Sequence, residues 1–342
     1  MFREDEIIIL IGAGCSADAG IPTSEKMISE LETLLKDNRG WQKFGDLYHL
    51  TKSSILYGDG IKGLSRDNFD IERLVNVLSE LEKKENSILY PFMGSWSPRL
   101  LEIAGYDFKI IREFKEKILK QLLSWIQLDD YCKANYYKKF FDFQTEYTYL
   151  LRIFSLNYDL CLERNKLNDK DIERGFGDDR IWDWRRFEGS EVYEPNIYLY
   201  KMHGSIDWKR DISQGNIVRE VQKIPDDPDL IFGTDYKMQY IDPYLFYAYE
   251  LRKYSLETKI ILTVGYSFRD EHINGILIQA LRNNSERKVI VVSPKAKDIC
   301  DEFSKTNPEI KKQLLPQNES AKEFFGKLCI SELEKTTNTK SK

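Results

Sequence analysis

Residues 7–11 are the unbroken apolar run Ile-Ile-Ile-Leu-Ile, followed at once by Gly12-Ala13-Gly14. A strand that is apolar on both faces has to be covered on both faces, which is the condition of an inner strand in a parallel sheet. Gly12 and Gly14 then let the backbone turn sharply and come close to a ligand, because no Cβ stands in the way. Amides beyond them, at the mouth of the next helix, are expected to face a pyrophosphate with the helix dipole behind them. The turn is not a P-loop, since no Gly-Lys-Ser/Thr follows, and its glycines depart from Gly-x-Gly-x-x-Gly spacing. Glycines alone leave an ordinary strand–turn–helix corner equally open.

The rest of the chain alternates strand and helix signals. Apolar stretches near 149–155, 197–202, 259–264 and 287–292 read as strands, and helical periodicity falls over Ser24–Lys36 and near 240–254, 270–283 and 319–328. That alternation predicts an α/β fold with a doubly wound parallel sheet, whose ligands bind beyond the carboxyl ends of the strands. Ile71, Leu74, Val75, Leu78 and Leu81 recur at helical spacing over Asp70–Lys84, and Ile110, Ile111, Phe114, Ile118, Leu122 and Ile126 do so over Phe108–Leu128. Pro91 and Pro98 break the chain between them. Residues 37–145 therefore read as a helical insertion, 1–36 and 146–330 as the core, and 331–342 as a disordered tail.

Composition narrows the function classes. No 18-residue apolar run exists, and the N-terminus has neither a basic region nor a cleavable apolar segment, so a cytoplasmic protein without a membrane span is expected. The five cysteines, Cys15, Cys132, Cys161, Cys300 and Cys329, are widely separated; they suggest reduced thiols, and no zinc ribbon can be written from them. A net charge of -5 weighs against direct nucleic-acid binding. The aromatic segment Tyr131–Tyr149, interleaved with Lys133, Lys138 and Lys139, could stack bases, but packing or a subunit interface is the favoured reading.

The full string Gly12-Ala13-Gly14-Cys15-Ser16-Ala17-Asp18-Ala19-Gly20-Ile21-Pro22 resembles the nucleotide-binding signature of the sirtuin family. The resemblance implies NAD contacts from Gly12, Ala13, Gly14, Ser16 and Pro22, whereas Asp18 is ambiguous between ligand contact and local capping. Four further blocks follow in order. Ser155-Leu156-Asn157-Tyr158-Asp159 is similar to the family's Asn-x-Asp beside the nicotinamide ribose. Lys201-Met202-His203-Gly204-Ser205 looks like the His-Gly pair that holds the catalytic base. Gly265-Tyr266-Ser267 resembles the Gly-x-Ser loop that receives the adenosine ribose, and Lys288–Ser293 the last core strand, near the adenine. The implied fold is Rossmann-like, with no zinc module and no metal.

Departures sharpen the resemblance. Thr23, Ser24 and Glu25 stand where protein-deacylating sirtuins carry an acidic or small residue, an aromatic and an arginine. Asn68–Leu74 and Tyr266–Asn274 resemble the versions found in sirtuin-like domains of bacterial anti-phage systems, which are implied to destroy NAD. Cleavage of NAD passes through an oxocarbenium-like state and needs a held ribose and a guided nucleophile. Asn157 can bond a ribose hydroxyl or the attacking water, Asp159 can orient that water or the carboxamide, and His203 can take the proton. His203 is one of three histidines; His272 reads as capping or packing in its helix, and His49 has no supporting context.

Three functions follow: an NAD glycohydrolase, favoured; an NAD-dependent protein deacylase; or a nucleotide-binding assembly module without turnover. An ungated NADase would exhaust its own cell. Gating is therefore expected, and the resemblance implies a regulatory partner such as a hexameric DNA-translocating ATPase or a short Argonaute; the amphipathic helices and aromatics of 37–145 point to a homo-oligomer built partly through that insertion. A valine at Gly14 is expected to block the ligand and spare the fold.

Overall fold

The computed structural model describes residues 2–61, 63, 69–82, 98–105, 107–168, 171–189, 195–213, 215–232 and 241–338. Asn68, Pro91 and residues 339–342 of the expected tail lie outside them.

The apolar run forms β1 (Ile7–Ile11), at the middle of a seven-stranded sheet. The remaining strands are β2 (Leu151–Ser155), β3 (Ile172–Glu173), β4 (Ile197–Lys201), β7 (Ile260–Val264), β8 (Lys288–Val292) and β9 (Leu314–Gln317), in the order β3-β4-β2-β1-β7-β8-β9. Every pairing in that sheet is parallel. A separate antiparallel hairpin joins β5 (Trp208–Asp211) to β6 (Ile217–Glu220). All residues of β1, β2, β4 and β7 are buried, so none of these strands alternates buried and exposed positions; β2 even buries Arg152, which pairs with Asp5.

Register puts the chemistry in one row. Ile11 sits beside Ser155 on one side and Val264 on the other, Ser155 beside Lys201, and Val264 beside Val292. The loops that begin at Gly12, Leu156, Met202, Gly265 and Ser293 therefore leave the sheet side by side. The chain crosses from β1 to β2 on one flank and returns later to β7 on the other. Such a switch opens a crevice at the carboxyl ends, where ligands of these sheets bind.

The chain divides into two compact units. Among the described residues, the sheet unit takes in those within 2–21, 127–231 and 241–338, and the helical unit those within 22–126 together with Phe232. The helical unit contains Ser24–Asp37, Gly45–Ile61, Ile71–Glu82, Pro98–Ala104 and Lys109–Ile126, packed on Leu31, Leu47, Leu74, Leu78, Ile118 and a stacked Phe44–Phe114 pair 5.0 Å apart. Its limits differ from the expected 37–145 at both ends. Helix Ser24–Asp37 buries Met27, Ile28, Leu31 and Leu35 within it. The aromatic segment after 130 belongs instead to the sheet unit, because Tyr137, Phe140, Phe141 and Phe143 are buried there and Phe140 meets Phe325 edge-on at 4.6 Å. Those aromatics are core, not an exposed stacking surface.

The tail also differs from expectation. Ile330–Asn338 is a helix, with Leu333 buried and the Ile330 amide donating to Glu146 Oε1 at 3.1 Å. Among the described residues no helix is long and apolar enough to cross a membrane.

Candidate active site at the carboxyl ends of the strands

The glycines of the first loop are explained by another loop. A Cβ on Gly12 would lie 2.8 Å from the Gly265 carbonyl oxygen, and one on Gly14 would lie 2.8 Å from Gly265 Cα. Gly265 has φ +66°, and its own Cβ would stand 2.0 Å from the Cys15 nitrogen. Gly12 N donates to Val264 O at 3.0 Å and Gly14 N to Gly265 O at 2.9 Å. The close approach that needs these glycines is loop to loop. A valine at Gly14 would therefore force the two loops apart, contrary to the expectation that it spares the fold.

No α-helix mouth follows directly, either. The chain enters two three-residue 3₁₀ turns, Ala13–Cys15 and Ala17–Ala19. Cys15 N and Ser16 N donate to Gly12 O and Ala13 O, so the amides of Gly12, Gly14, Cys15 and Ser16 are all committed within the protein. Ala13 is exposed.

Beneath the loop lies a closed polar network. Ser16 Oγ donates to Asp159 Oδ2 at 2.7 Å, and it sits 2.8 Å from the Tyr137 hydroxyl and 3.2 Å from Asn157 Nδ2. A serine has one proton to give, so Tyr137 and Asn157 donate to it. Asn157 Nδ2 also donates to Gly12 O at 3.0 Å, and Asp159 Oδ1 accepts from Cys161 N at 2.9 Å. Both amide protons of Asn157 are thus committed, and its Oδ1 has no hydrogen-bond partner among the described residues. Both Asp159 oxygens already accept from the protein. Sequence reasoning did not single out Tyr137; the only signal was its place in a dense aromatic segment, which packing explains equally well. Burial first, and then Asp159, push the Cys161 thiol up, and burial does the same to Cys15. Neither is a thiolate nucleophile.

His203 is buried at the end of β4, its Nε2 3.1 Å from Asp270 Oδ2. Its Nδ1 has no hydrogen-bond partner among the described residues. The main chain fixes the ring's position: Ile231 N donates to His203 O at 2.8 Å, and Gly204, at φ +87°, lies against the Asp229 carbonyl, which a Cβ would meet at 2.1 Å. The Tyr158 ring is 6.3 Å from the imidazole, and its hydroxyl donates to Ile231 O at 2.7 Å.

A buried charge cluster braces the same loops. Arg174 forms a two-pronged pair with Asp207, both contacts at 2.9 Å, and meets Glu220 at 2.8 Å. Lys201 Nζ lies 3.3 Å from Glu163 and donates to the Asp159 carbonyl. Burial raises the Asp207 carboxyl, but Arg174 beside it outweighs burial and holds it below its ordinary value.

The other expected contact residues have their own surroundings. Asp18 is exposed and accepts from Lys322 N at 2.9 Å, tying down the short helix Ala321–Phe325. Pro22 is buried and is the first residue of the helical unit. Ser267 is exposed, and Ser293 Oγ accepts from Lys295 N at 3.3 Å. His272 and His49 are exposed. Among the described residues no group of three or more His, Cys, Asp or Glu side chains is arranged to hold a metal ion.

Residues 151–313 match the family model described as "SIR2-like domain". The match takes in Asn157, Asp159, His203, Gly265, Ser267 and Ser293, while the glycine loop precedes it. None of the curated proteins is similar to the chain. Among solved structures the chain is similar to a Sir2 homologue in complex with NAD, at 13% identity over 97% of this chain and 90% of that one, TM-score 0.45. It is also similar to a Sir2 homologue mutant in complex with ADP-ribose, at 13% identity over 98% and 94%, TM-score 0.47.

Proposed function

We propose, from the premise that residues 151–313 are a SIR2-like domain and so belong to an NAD-using family, that the chain is an NAD glycohydrolase. The bond between ribose C1′ and the nicotinamide nitrogen breaks, and its electron pair leaves with the nicotinamide. Water oxygen bonds to C1′ and loses a proton to a base, so NAD and water become nicotinamide, ADP-ribose and one proton.

The observation that carries this reading is the placement of Asn157 and His203 just beyond adjacent strand ends, with Asn157 Oδ1 and His203 Nδ1 outside the hydrogen bonds among the described residues. His203 Nδ1 is the base in this reading. Asn157 Oδ1 accepts from a ribose hydroxyl or from the water. Asp159, with both oxygens engaged, holds Ser16 and the glycine loop in place. Ala13, Gly265, Ser267 and Ser293 are assigned to the pyrophosphate and adenosine half of NAD.

Incubation of purified protein with NAD, with and without an acyl-lysine peptide, tests the proposal. Nicotinamide release independent of peptide supports it. Strict peptide dependence would make the chain a deacylase, and binding without products would make it an assembly module.

The same proposal extends to cell biology: an NAD-depleting effector of anti-phage defence, oligomeric and gated by a partner such as a hexameric DNA-translocating ATPase or a short Argonaute. Its support is the hazard of an ungated NADase, together with the exposure of Tyr57 and Ile61 on helix Gly45–Ile61, 73% and 71% accessible. A strict monomer by light scattering, with and without a neighbouring gene product, rejects the assembly. Equal phage protection by an Asn157→Ala chain rejects the effector role.

A further inference from the structure

The Asp270 carboxylate caps a helix with one oxygen and faces a histidine with the other. Oδ1 accepts from the amides of His272 at 3.0 Å and Ile273 at 3.3 Å, capping helix Glu271–Asn283. Oδ2 faces His203 Nε2 at 3.1 Å. Both side chains are almost wholly shielded, 3% and 5% exposed.

The loop that carries Asp270 is itself pinned. Tyr266 donates to Asp270 O at 3.2 Å and lies 2.8 Å from Asn274 Oδ1, and Asn274 Nδ2 donates to Phe268 O at 2.7 Å. The carboxylate therefore cannot swing without disturbing the helix start.

We propose that Asp270 is a positioning residue that selects the tautomer of His203. A carboxylate only accepts hydrogen bonds, so Nε2 carries the imidazole proton and Nδ1 is left as the basic nitrogen. As water is deprotonated, its proton goes to Nδ1, and the imidazolium that forms is stabilised through Nε2–H by the Asp270 charge, which itself stays unprotonated. The role rests on the reading of His203 as the base. The simpler alternative, a buried histidine satisfied by a nearby carboxylate, accounts for the contact but does not require a particular tautomer for turnover.

Asp270→Asn separates the two. The cap directs the side-chain carbonyl toward the His272 and Ile273 amides, which places NH₂ where Oδ2 was. Nε2 must then accept, and the proton moves to Nδ1. The same exchange at the aspartate of a serine-protease triad fixes the wrong tautomer and costs about 10⁴ in kcat.

The test uses ¹⁵N-histidine-labelled protein; His49→Gln and His272→Gln assign its three imidazoles. Expected are a protonated Nε2 and an unprotonated Nδ1 at His203 in the wild type, and the reverse in Asp270→Asn. Nicotinamide release should fall by roughly 10²–10⁴ with KM for NAD within a few-fold. Asp270→Ser keeps a capping oxygen and removes the second one, so it should fold, lose the tautomer preference and lose turnover comparably. A wild-type His203 protonated at Nδ1, or near-normal turnover in either variant, overturns the proposal. If the wild type releases no nicotinamide at all, the glycohydrolase reading fails, while the tautomer measurement still decides the positioning role.

Discussion

Gly265→Ala tests whether the glycines of the site exist for one another. Its φ of +66° is costly for any residue with a Cβ, and the added methyl would lie 2.0 Å from Cys15 N and 2.3 Å from Gly14 C, both main-chain atoms. Ordinary contact needs about 3.5 Å between such atoms, so the loops must separate by more than an ångström. Left-handed backbone costs roughly 1–2 kcal/mol for an L-residue. The hydrogen bond from Gly14 N to Gly265 O is worth about 1 kcal/mol net, and more where a buried amide is left unpaired. A loss of about 3–5 kcal/mol is expected, a large share of the roughly 5–15 kcal/mol that keeps a domain folded. Urea unfolding followed by circular dichroism gives the difference from the midpoint at unchanged slope. Gly275→Ala is the control: its Cβ points into open space within helix Glu271–Asn283, so it should stabilise by about 0.5–1 kcal/mol. If Gly265→Ala unfolds within about 0.5 kcal/mol of wild type, the loop-to-loop account is wrong.

Further outcomes follow from the same geometry. His203→Ala and Asn157→Ala should each lower nicotinamide release by roughly a hundredfold or more with NAD affinity within a few-fold, and the double variant should be little worse than either single one; calorimetry with steady-state assays checks both. Tyr137→Phe removes the hydroxyl that donates to Ser16 and should cost about 1 kcal/mol in a urea melt without loss of secondary structure. Asp207→Asn should destabilise by roughly 3 kcal/mol at neutral pH, since Arg174 keeps Glu220 but loses its two-pronged partner. Because the folded-state carboxyl titrates below its ordinary value, this stabilisation is present above about pH 4 and is lost as pH falls through the folded value, so the gap between variant and wild type should close on acidification. A gap of unchanged size at pH 3 would contradict the ion-pair account.

What the sequence made legible was whatever repeats along the chain. The continuous apolar run of β1 and the largely apolar stretches of β2, β4 and β7 report burial on both faces, and the residues just after them emerge at the carboxyl edge of the sheet. Helical spacing likewise located Ile71–Glu82 and Lys109–Ile126. The pieces that escaped owe their form to contacts distant in sequence. Strand β9 is only four residues long and carries Pro316, so it reads as a loop until Val289–Val292 pair with it. Tyr137 is indistinguishable from its aromatic neighbours until Ser16, 121 positions away, is set against its hydroxyl. Asp270 looked like part of a helix start, which it is, but only the fold brings His203 to its second oxygen. The glycine loop is the instructive case. A ligand and a second loop both demand missing Cβ atoms, and in the sequence they look alike. Gly265 distinguishes them, because a residue at positive φ with backbone 2.0 Å from its missing Cβ answers to the protein chain first. The glycine string is therefore a condition for assembling the two loops against each other, and the proposed roles of Asn157 and His203 rest on Oδ1 and Nδ1, atoms that this assembly does not use.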